Sequence, residues 1–148
     1  MDGAERLLNS FCTLMNSFCF RSLEKLVDAV LGRYMIGLEE KAIRLDPRNR
    51  DYYVFWEAMA YTLMGRYAEA IPLLKQHFTR YPNDLGSHVV LIVDYIELRH
   101  EQEARAEAAE VLRISPHFSL DMWRQRSPQK NRALLERNLA DLRKAGLK

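Results

Sequence analysis

The sequence lacks the residue patterns from which most catalytic sites are built. Its six glycines form neither G-x-G-x-x-G nor G-x-x-x-x-G-K, so the phosphate-binding loops of nucleotide enzymes are absent. No two of the four histidines lie three to five residues apart, and no cysteine has a second cysteine within two to four residues, as a zinc site needs. The sequence therefore predicts no catalytic residue, no cofactor and no metal site, and we do not expect an enzyme.

Titratable side chains outside such patterns are expected to be ordinary. Asp94 and Glu97 come close together on one predicted helix, where two carboxylates on a solvated face are common. The histidines are expected at the surface or half-buried. Nothing in the sequence around these residues predicts a shifted pKa.

Long apolar runs are also missing. The stretch from Phe11 to Phe20 is interrupted by Asn16 and Ser17, and Asp2 and Glu5 occupy what would be the basic region of a signal peptide. We expect neither a membrane segment nor an export signal, and therefore a cytoplasmic protein.

The two cysteines, Cys12 and Cys19, lie seven residues apart on one face of a predicted helix, where they cannot bridge each other. Reduced, buried cysteines are the simpler interpretation. A redox or intermolecular pair is the alternative. The surrounding apolar face is expected to pack on the first repeat or, alternatively, to form a dimer contact or the contact with a partner that is not in this chain.

The sequence does contain a repeat with a nearly constant spacing. Pro47, Pro82 and Pro116 are 35 and 34 residues apart, and each follows a stretch with a helical pattern. Other residues repeat at the same spacing: Ala58, Tyr61, Ala70 and Leu74 recur as Ile92, Tyr95, Ala104 and Ala108. Small residues at 70 and 104 allow two helices to approach closely, and proline is tolerated after a helix has ended.

The segment Met64 to Ala70 resembles the turn of a tetratricopeptide (TPR) repeat, with Gly65 ending one helix and Glu69 placing a negative charge in the first turn of the next. The later repeat departs from the family pattern because Arg99 stands at the turn glycine. Val54 and Glu57 replace the usual Trp and Leu. The resemblance implies an all-α fold, an α-solenoid of TPR helical hairpins with two clear repeats and one degenerate repeat, and with N-terminal and C-terminal capping helices.

The pattern predicts a single TPR-like domain over 1–148, divided into an N-terminal helical segment 1–33, the end of a degenerate repeat 34–47, repeats 48–82 and 83–116, and C-terminal capping helices 117–148. The predicted helices are 4–31, with a possible break near Phe20, and 34–45, 50–64, 67–80, 85–98, 101–114, 119–125 and 130–145.

The tail is basic. Residues 113–148 contain nine Lys or Arg and three Asp or Glu, whereas the preceding residues carry a net charge of −4. The basic side chains alternate with Leu134, Leu135, Leu139 and Leu142, which predicts the solvated face of a capping helix rather than nucleic-acid binding.

The tail also carries a narrower resemblance. Ser115 to Leu120, Arg126 to Pro128 and Leu142 to Leu147 look like the end of the TPR region of bacterial adenylate or guanylate cyclases and winged-helix regulators. This resemblance implies the alternative function, a regulatory C-terminal fragment whose catalytic or DNA-binding part is not in this chain.

In a TPR repeat the first helix of each pair lines a concave groove, and the groove residues predicted from this resemblance are apolar: Tyr52, Phe55, Met59, Thr62, Leu63, Val89, Val93 and Ile96. They lack the Lys, Asn and Arg side chains that capture a C-terminal carboxylate. The expected function is protein–protein interaction with an apolar or amphipathic helix. That helix is expected to come from a partner, from a second copy of the chain or from the chain's own N-terminal segment. Tyr52, Phe55, Met59 and Val93 are expected to form an exposed patch.

Overall fold

The computed structural model describes residues 30, 32–34, 36–38, 40–41, 43–45, 47–127 and 131–148. Within these residues all regular structure is helical, which confirms the all-α prediction. A short 3-10 helix, Pro47–Asn49, precedes six α-helices: α1 Arg50–Leu63, α2 Tyr67–Phe78, α3 Leu85–Glu97, α4 Glu101–Ile114, α5 Leu120–Arg126 and α6 Arg132–Lys144.

The predicted helix boundaries from residue 50 onwards differ from these by at most two residues. The predicted break between residues 31 and 34 is wrong, because residues 32–34 are helical, as are the other described residues from 30 to 45. The predicted helix 4–31 lies outside the described residues except at Val30. The interpretations of Cys12 and Cys19 fall wholly outside them.

Two helical hairpins with the same turn form the centre of the molecule. The first hairpin is α1 and α2, and the second is α3 and α4. Gly65 has φ 72° in the first turn, and Arg99 has φ 62° at the equivalent place in the second. The backbone N–H of Arg66 donates to the Tyr61 carbonyl at 2.9 Å, and that of His100 donates to the Tyr95 carbonyl at 2.8 Å. The 34-residue sequence period is therefore also a period of backbone hydrogen bonds.

Small side chains lie where the helices of each hairpin pack together. Ala58, Ala70 and Ala104 are completely buried, and Ala108 is nearly so. The absence of larger side chains at these places permits close helix packing. A third close approach occurs at Gly32, where an added Cβ would stand 2.5 Å from Met64 Cγ and 2.8 Å from the Ala60 carbonyl oxygen. The helical segment around Gly32 thus packs directly on α1.

Helix α3 is the most enclosed element of the fold. It contacts α1, α2, α4 and α6, and every residue from Ser87 to Ile96 is buried. Its sequence has almost no polar face, as expected for a helix that is surrounded on all sides. The position of α3 decides which of the predicted groove residues remain accessible.

The C-terminal helices are held by local caps and by the end of the chain. The side chains of Ser119 and Asn131 accept hydrogen bonds from the backbone N–H groups of Met122 and Leu134, each at 3.2 Å. The Leu120 N–H donates to the carbonyl of Lys148 at 2.9 Å. The leucines of α6 predicted to be apolar partners, Leu134, Leu135, Leu139 and Leu142, are all buried. The same helix exposes Arg132, Arg137 and Arg143, as predicted.

Candidate partner-binding groove

One face of α1 is the accessible part of the predicted groove. Trp56, Met59 and Leu63 are spaced to lie on one helical face, which we call the α1 row. Met59 and Leu63 are half-buried, and Trp56 is 39% exposed. Phe55 lies beside this row, with its ring 5.2 Å from that of Trp56 in an edge-on arrangement. These side chains give α1 a partly accessible apolar and aromatic surface.

The equivalent positions of α3, 34 residues later, are Val90, Val93 and Glu97, which we call the α3 row. Val90 and Val93 are buried and Glu97 is half-buried. Helix α6 packs along α3 and reaches this row at Glu97, whose Oε1 lies 3.8 Å from Arg137 Nε. The α3 row is therefore enclosed where the α1 row is accessible.

The predicted groove residues divide accordingly. Phe55, Met59 and Leu63 are half-buried, whereas Thr62, Val89, Val93 and Ile96 are buried. The side chain of Tyr52 lies outside the described part of the structure. The expected exposed patch is wrong at Val93, which is only 4% exposed, because α3 is enclosed by four helices. Whether the predicted residues bind a partner stays a prediction.

Thr62 has a polar role that its predicted place in an apolar groove did not suggest. Its Oγ1 lies 2.9 Å from Asp94 Oδ1 on α3 and 3.1 Å from the Ala58 carbonyl oxygen one turn earlier on α1. The threonine thus joins the two hairpins through a buried polar contact.

The prediction that Asp94 and Glu97 are ordinary solvated carboxylates is wrong. Asp94 is completely buried, and burial raises its pKa from 3.8 to about 8, although the hydrogen bond from Thr62 opposes the rise. The pKa of Glu97 is also raised, first by burial and then by the charge of Asp141. Asp141, on α6, is itself buried. We call Asp94, Glu97 and Asp141 the acidic cluster.

A signal for this cluster was present in the sequence. Asp94 stands inside the run Val89 to Ile96, in which every residue except Asp94 is apolar or aromatic, and a polar residue in the middle of such a run is expected to be buried. Its equivalent in the first hairpin is Ala60, a fully buried residue. Asp141 carried no comparable signal, because its burial depends on how α6 docks.

Two of the histidines are also buried, contrary to prediction. His77 stacks on Tyr81 with ring centroids 4.7 Å apart and lies 3.5 Å from Asp84 Oδ2. His88 stacks on Phe78 at 4.2 Å. Its Nδ1 is 2.7 Å from Glu107 Oε2 and its Nε2 is 3.0 Å from the Pro82 carbonyl oxygen. His88 links α3 to α2 and α4, and His77 links α2 to the segment between the two hairpins, so both have structural roles.

Within the described ranges, no group of three or more His, Cys, Asp or Glu side chains is arranged to hold a metal ion. The part of the chain that the structure describes also contains no helix that is both long and apolar enough to cross a membrane. No protein-family model matches the chain, and a comparison with curated proteins gives no significant match.

Proposed function

We propose that this chain is a non-catalytic protein–protein interaction module of the TPR type, which binds an amphipathic helix along the α1 row. Its support is the contrast between two equivalent surfaces. Helix α6, which is amphipathic, already packs along α3 and reaches the α3 row, whereas the α1 row remains partly exposed. Because α6 packs on the second hairpin, the equivalent apolar surface of the first hairpin is suited to bind a similar helix.

The chemistry of the α1 row fits an apolar partner better than a charged one. Trp56 and Phe55 supply a large aromatic surface of the kind that dominates binding energy at interfaces. The row has no Lys, Arg or Asn to capture a terminal carboxylate. We therefore infer that leucine-rich or aromatic helical segments are the partners and that specificity follows from shape and apolar contact.

The basic C-terminal residues favour a structural explanation over nucleic-acid binding. Arg124 Nη2 lies 2.9 Å from Glu136 Oε2, and Lys144 Nζ lies 2.8 Å from Asp141 Oδ1. Arg137 faces Glu97. Cations that already face carboxylates in the same chain contribute less to a phosphate-binding surface.

The test uses a peptide copy of α6, an amphipathic helix that already packs in this fold. A fluorescein-labelled peptide with the sequence of residues 131–148 is titrated with the full chain, and fluorescence anisotropy reports binding. We expect saturable binding that weakens roughly tenfold or more in Trp56→Asp, because a carboxylate at the centre of an apolar contact must be desolvated.

Leu112→Asp is the matched control, because Leu112 is 43% exposed but lies on α4, outside the row. Circular dichroism verifies that both variants keep their helix content. Absence of saturable binding to the wild type, or an equal loss in the two variants, would show that the α1 row is not the site.

A further inference from the structure

Most of the large apolar side chains that are exposed among the described residues lie before Pro47. Val30, Tyr34, Leu38 and Leu45 are 62%, 66%, 47% and 87% exposed. All four belong to segment 30–45, whose described residues are helical. At 3.6 residues per turn they fall within roughly 80° of one another around the helix axis. We call these four residues the outer face.

The opposite side of this segment packs on the first hairpin. Gly32 is buried, and a Cβ added there would meet Ala60 of α1 and Met64 just after it. Ile36 and Ile43 lie on the same side as Gly32 and are half-buried. The outer face is therefore not the surface that attaches the segment to α1.

The two later hairpins expose the same side of their second helices but place no large apolar side chains there. The residues that stand 34 and 68 positions after Tyr34, Leu38 and Leu45 are all exposed. They are Ala68, Pro72 and Thr79 in the first hairpin and Gln102, Ala106 and Arg113 in the second. The packing of the repeats thus leaves this side open to solvent, and large apolar side chains on it indicate a further contact.

The chain before Val30 contains a matching apolar pattern. Its apolar residues at 11, 14, 15 and 18 have the i, i+3, i+4, i+7 spacing of an amphipathic helix; they are Phe11, Leu14, Met15 and Phe18. These residues lie outside the described ranges.

The connection between this pattern and the outer face is long enough. Residues 20–29 separate the pattern from Val30. When extended, such a stretch reaches up to roughly 33 Å. The outer face is shorter, because Val30 and Leu45 are roughly 22 Å apart at 1.5 Å per helical residue.

Charge and connectivity favour the chain's own N-terminal residues over a second copy of the chain. The exposed charged residues described in segment 30–45 are Arg33, Glu40, Lys41 and Arg44, so two copies would bring mostly positive charges together. Residues 1–29 contain four acidic and three basic residues and are slightly negative. A short flexible connection also gives them an effective concentration on the order of millimolar at the outer face.

We propose that residues 11–18 pack through their apolar side on the outer face and cover it within one chain. The cover would hold segment 30–45 from the side opposite to α1. It does not involve the α1 row, so it is independent of the function proposed above.

The chain's two cysteines, Cys12 and Cys19, lie in and beside the proposed cover and report on it. Their rate of reaction with a maleimide is measured on the full chain. We expect Leu38→Asp to raise this rate roughly tenfold, because a carboxylate on the outer face would have to be desolvated under the cover. Leu112→Asp is the matched control, since Leu112 is 43% exposed on α4, and it should react like the wild type. Circular dichroism verifies the helix content of both variants.

A second measurement locates the cover. Tyr34→Cys introduces a thiol on the outer face, and a short bismaleimide followed by peptide mapping should join position 34 to Cys12 or Cys19 within one chain. The yield should not depend on protein concentration, and Leu112→Cys should give no such link. Links that form only between two chains would place a second copy on the outer face and overturn the proposal. The proposal also fails without an intramolecular link from position 34, whatever the cysteine reactivity. Peptide binding to the α1 row is scored separately, so either idea can fail alone.

Discussion

The two hairpins have the same backbone turn but pack against different elements. Their turns use the same hydrogen bonds and have a left-handed backbone at the same position, and Ala70 and Ala104 are buried at equivalent places. They differ where a third element packs on them. Ala60 of α1 meets the helical segment around Gly32, whereas the equivalent Asp94 of α3 meets Thr62 of α1.

The two hairpins therefore follow the same backbone path at a spacing of 34 residues. Their equivalent side chains differ because different elements pack against them. α1 retains a partly exposed aromatic row, and α3 has become an enclosed helix with a buried carboxyl. The first hairpin is thus the better candidate for binding. Substitutions that exchange residues between equivalent positions test this division.

The largest effect is expected inside the hairpins. Leu74 is completely buried on α2, and its equivalent on α4 is the smaller Ala108. Leu74→Ala should lower the free energy of unfolding by about 2–5 kcal/mol, because it leaves a cavity in a packed core. Ala108→Leu should also destabilise, by about 1–3 kcal/mol, because the second hairpin has no room for the added atoms. Chemical denaturation measures both changes.

If the interiors of the two hairpins were packed alike, each exchange would change the free energy of unfolding only slightly. A loss below 1 kcal/mol for both variants, as an order of magnitude, would contradict the packing difference described here. Leu112→Ala, at an exposed position on α4, provides a control for the general effect of removing a leucine.

The next effect concerns Ala60 and Asp94. Because the folded chain keeps a proton on Asp94 up to about pH 8 and the unfolded chain loses it near pH 3.8, unfolding releases a proton in this window. Stability is therefore greatest at the acidic end of the window and falls as the pH rises to about 8. The slope is on the order of 1 kcal/mol per pH unit. Asp94→Ala places the residue of the first hairpin in the second and should flatten the curve.

Urea denaturation at pH 5 and pH 8 measures the slope, and Asp121→Ala provides the exposed-carboxylate control. Equal pH dependence in the wild type and in Asp94→Ala would be incompatible with a protonated Asp94. Glu97, whose pKa is also raised, contributes in the same direction, so a reduced slope remaining in Asp94→Ala is consistent with the prediction.

The sequence could predict what depends on local pattern and period. The hairpins, their turns, the buried alanines and the buried leucines of α6 all follow from residues within one or two turns of each other. The enclosure of α3 could not be predicted, because it depends on contacts with α1, α2, α4 and α6, and α6 lies about 45 residues further along the chain. A groove that is open in a short repeat array can be closed by the chain's own end.

A smaller effect is expected at the turns. Arg99 adopts φ 62°, a conformation that is unfavourable for residues other than glycine, and it also lies near the positive charge of Lys144. Arg99→Gly should therefore stabilise the chain by about 0.5–1 kcal/mol. Gly65→Ala, in the equivalent turn, should destabilise it by about 1 kcal/mol. Thermal denaturation of the two variants should give melting temperatures that move in opposite directions.

The smallest expected effect is a difference in stabilisation between the ion pairs that follow the two turns. Arg66 pairs with Glu69 across one helical turn, and at the equivalent positions His100 lies 4.0 Å from Glu103. The Arg66 guanidinium makes two hydrogen bonds to the Glu69 carboxylate, whereas the contact between His100 and Glu103 is longer. At low salt, Glu69→Gln should therefore lower the melting temperature slightly more than Glu103→Gln does. The difference should disappear in 1 M salt, because both pairs are exposed and screened. A double-mutant cycle with Arg66→Ala isolates the first pair. A coupling energy that is unchanged by salt would contradict an electrostatic origin of this interaction.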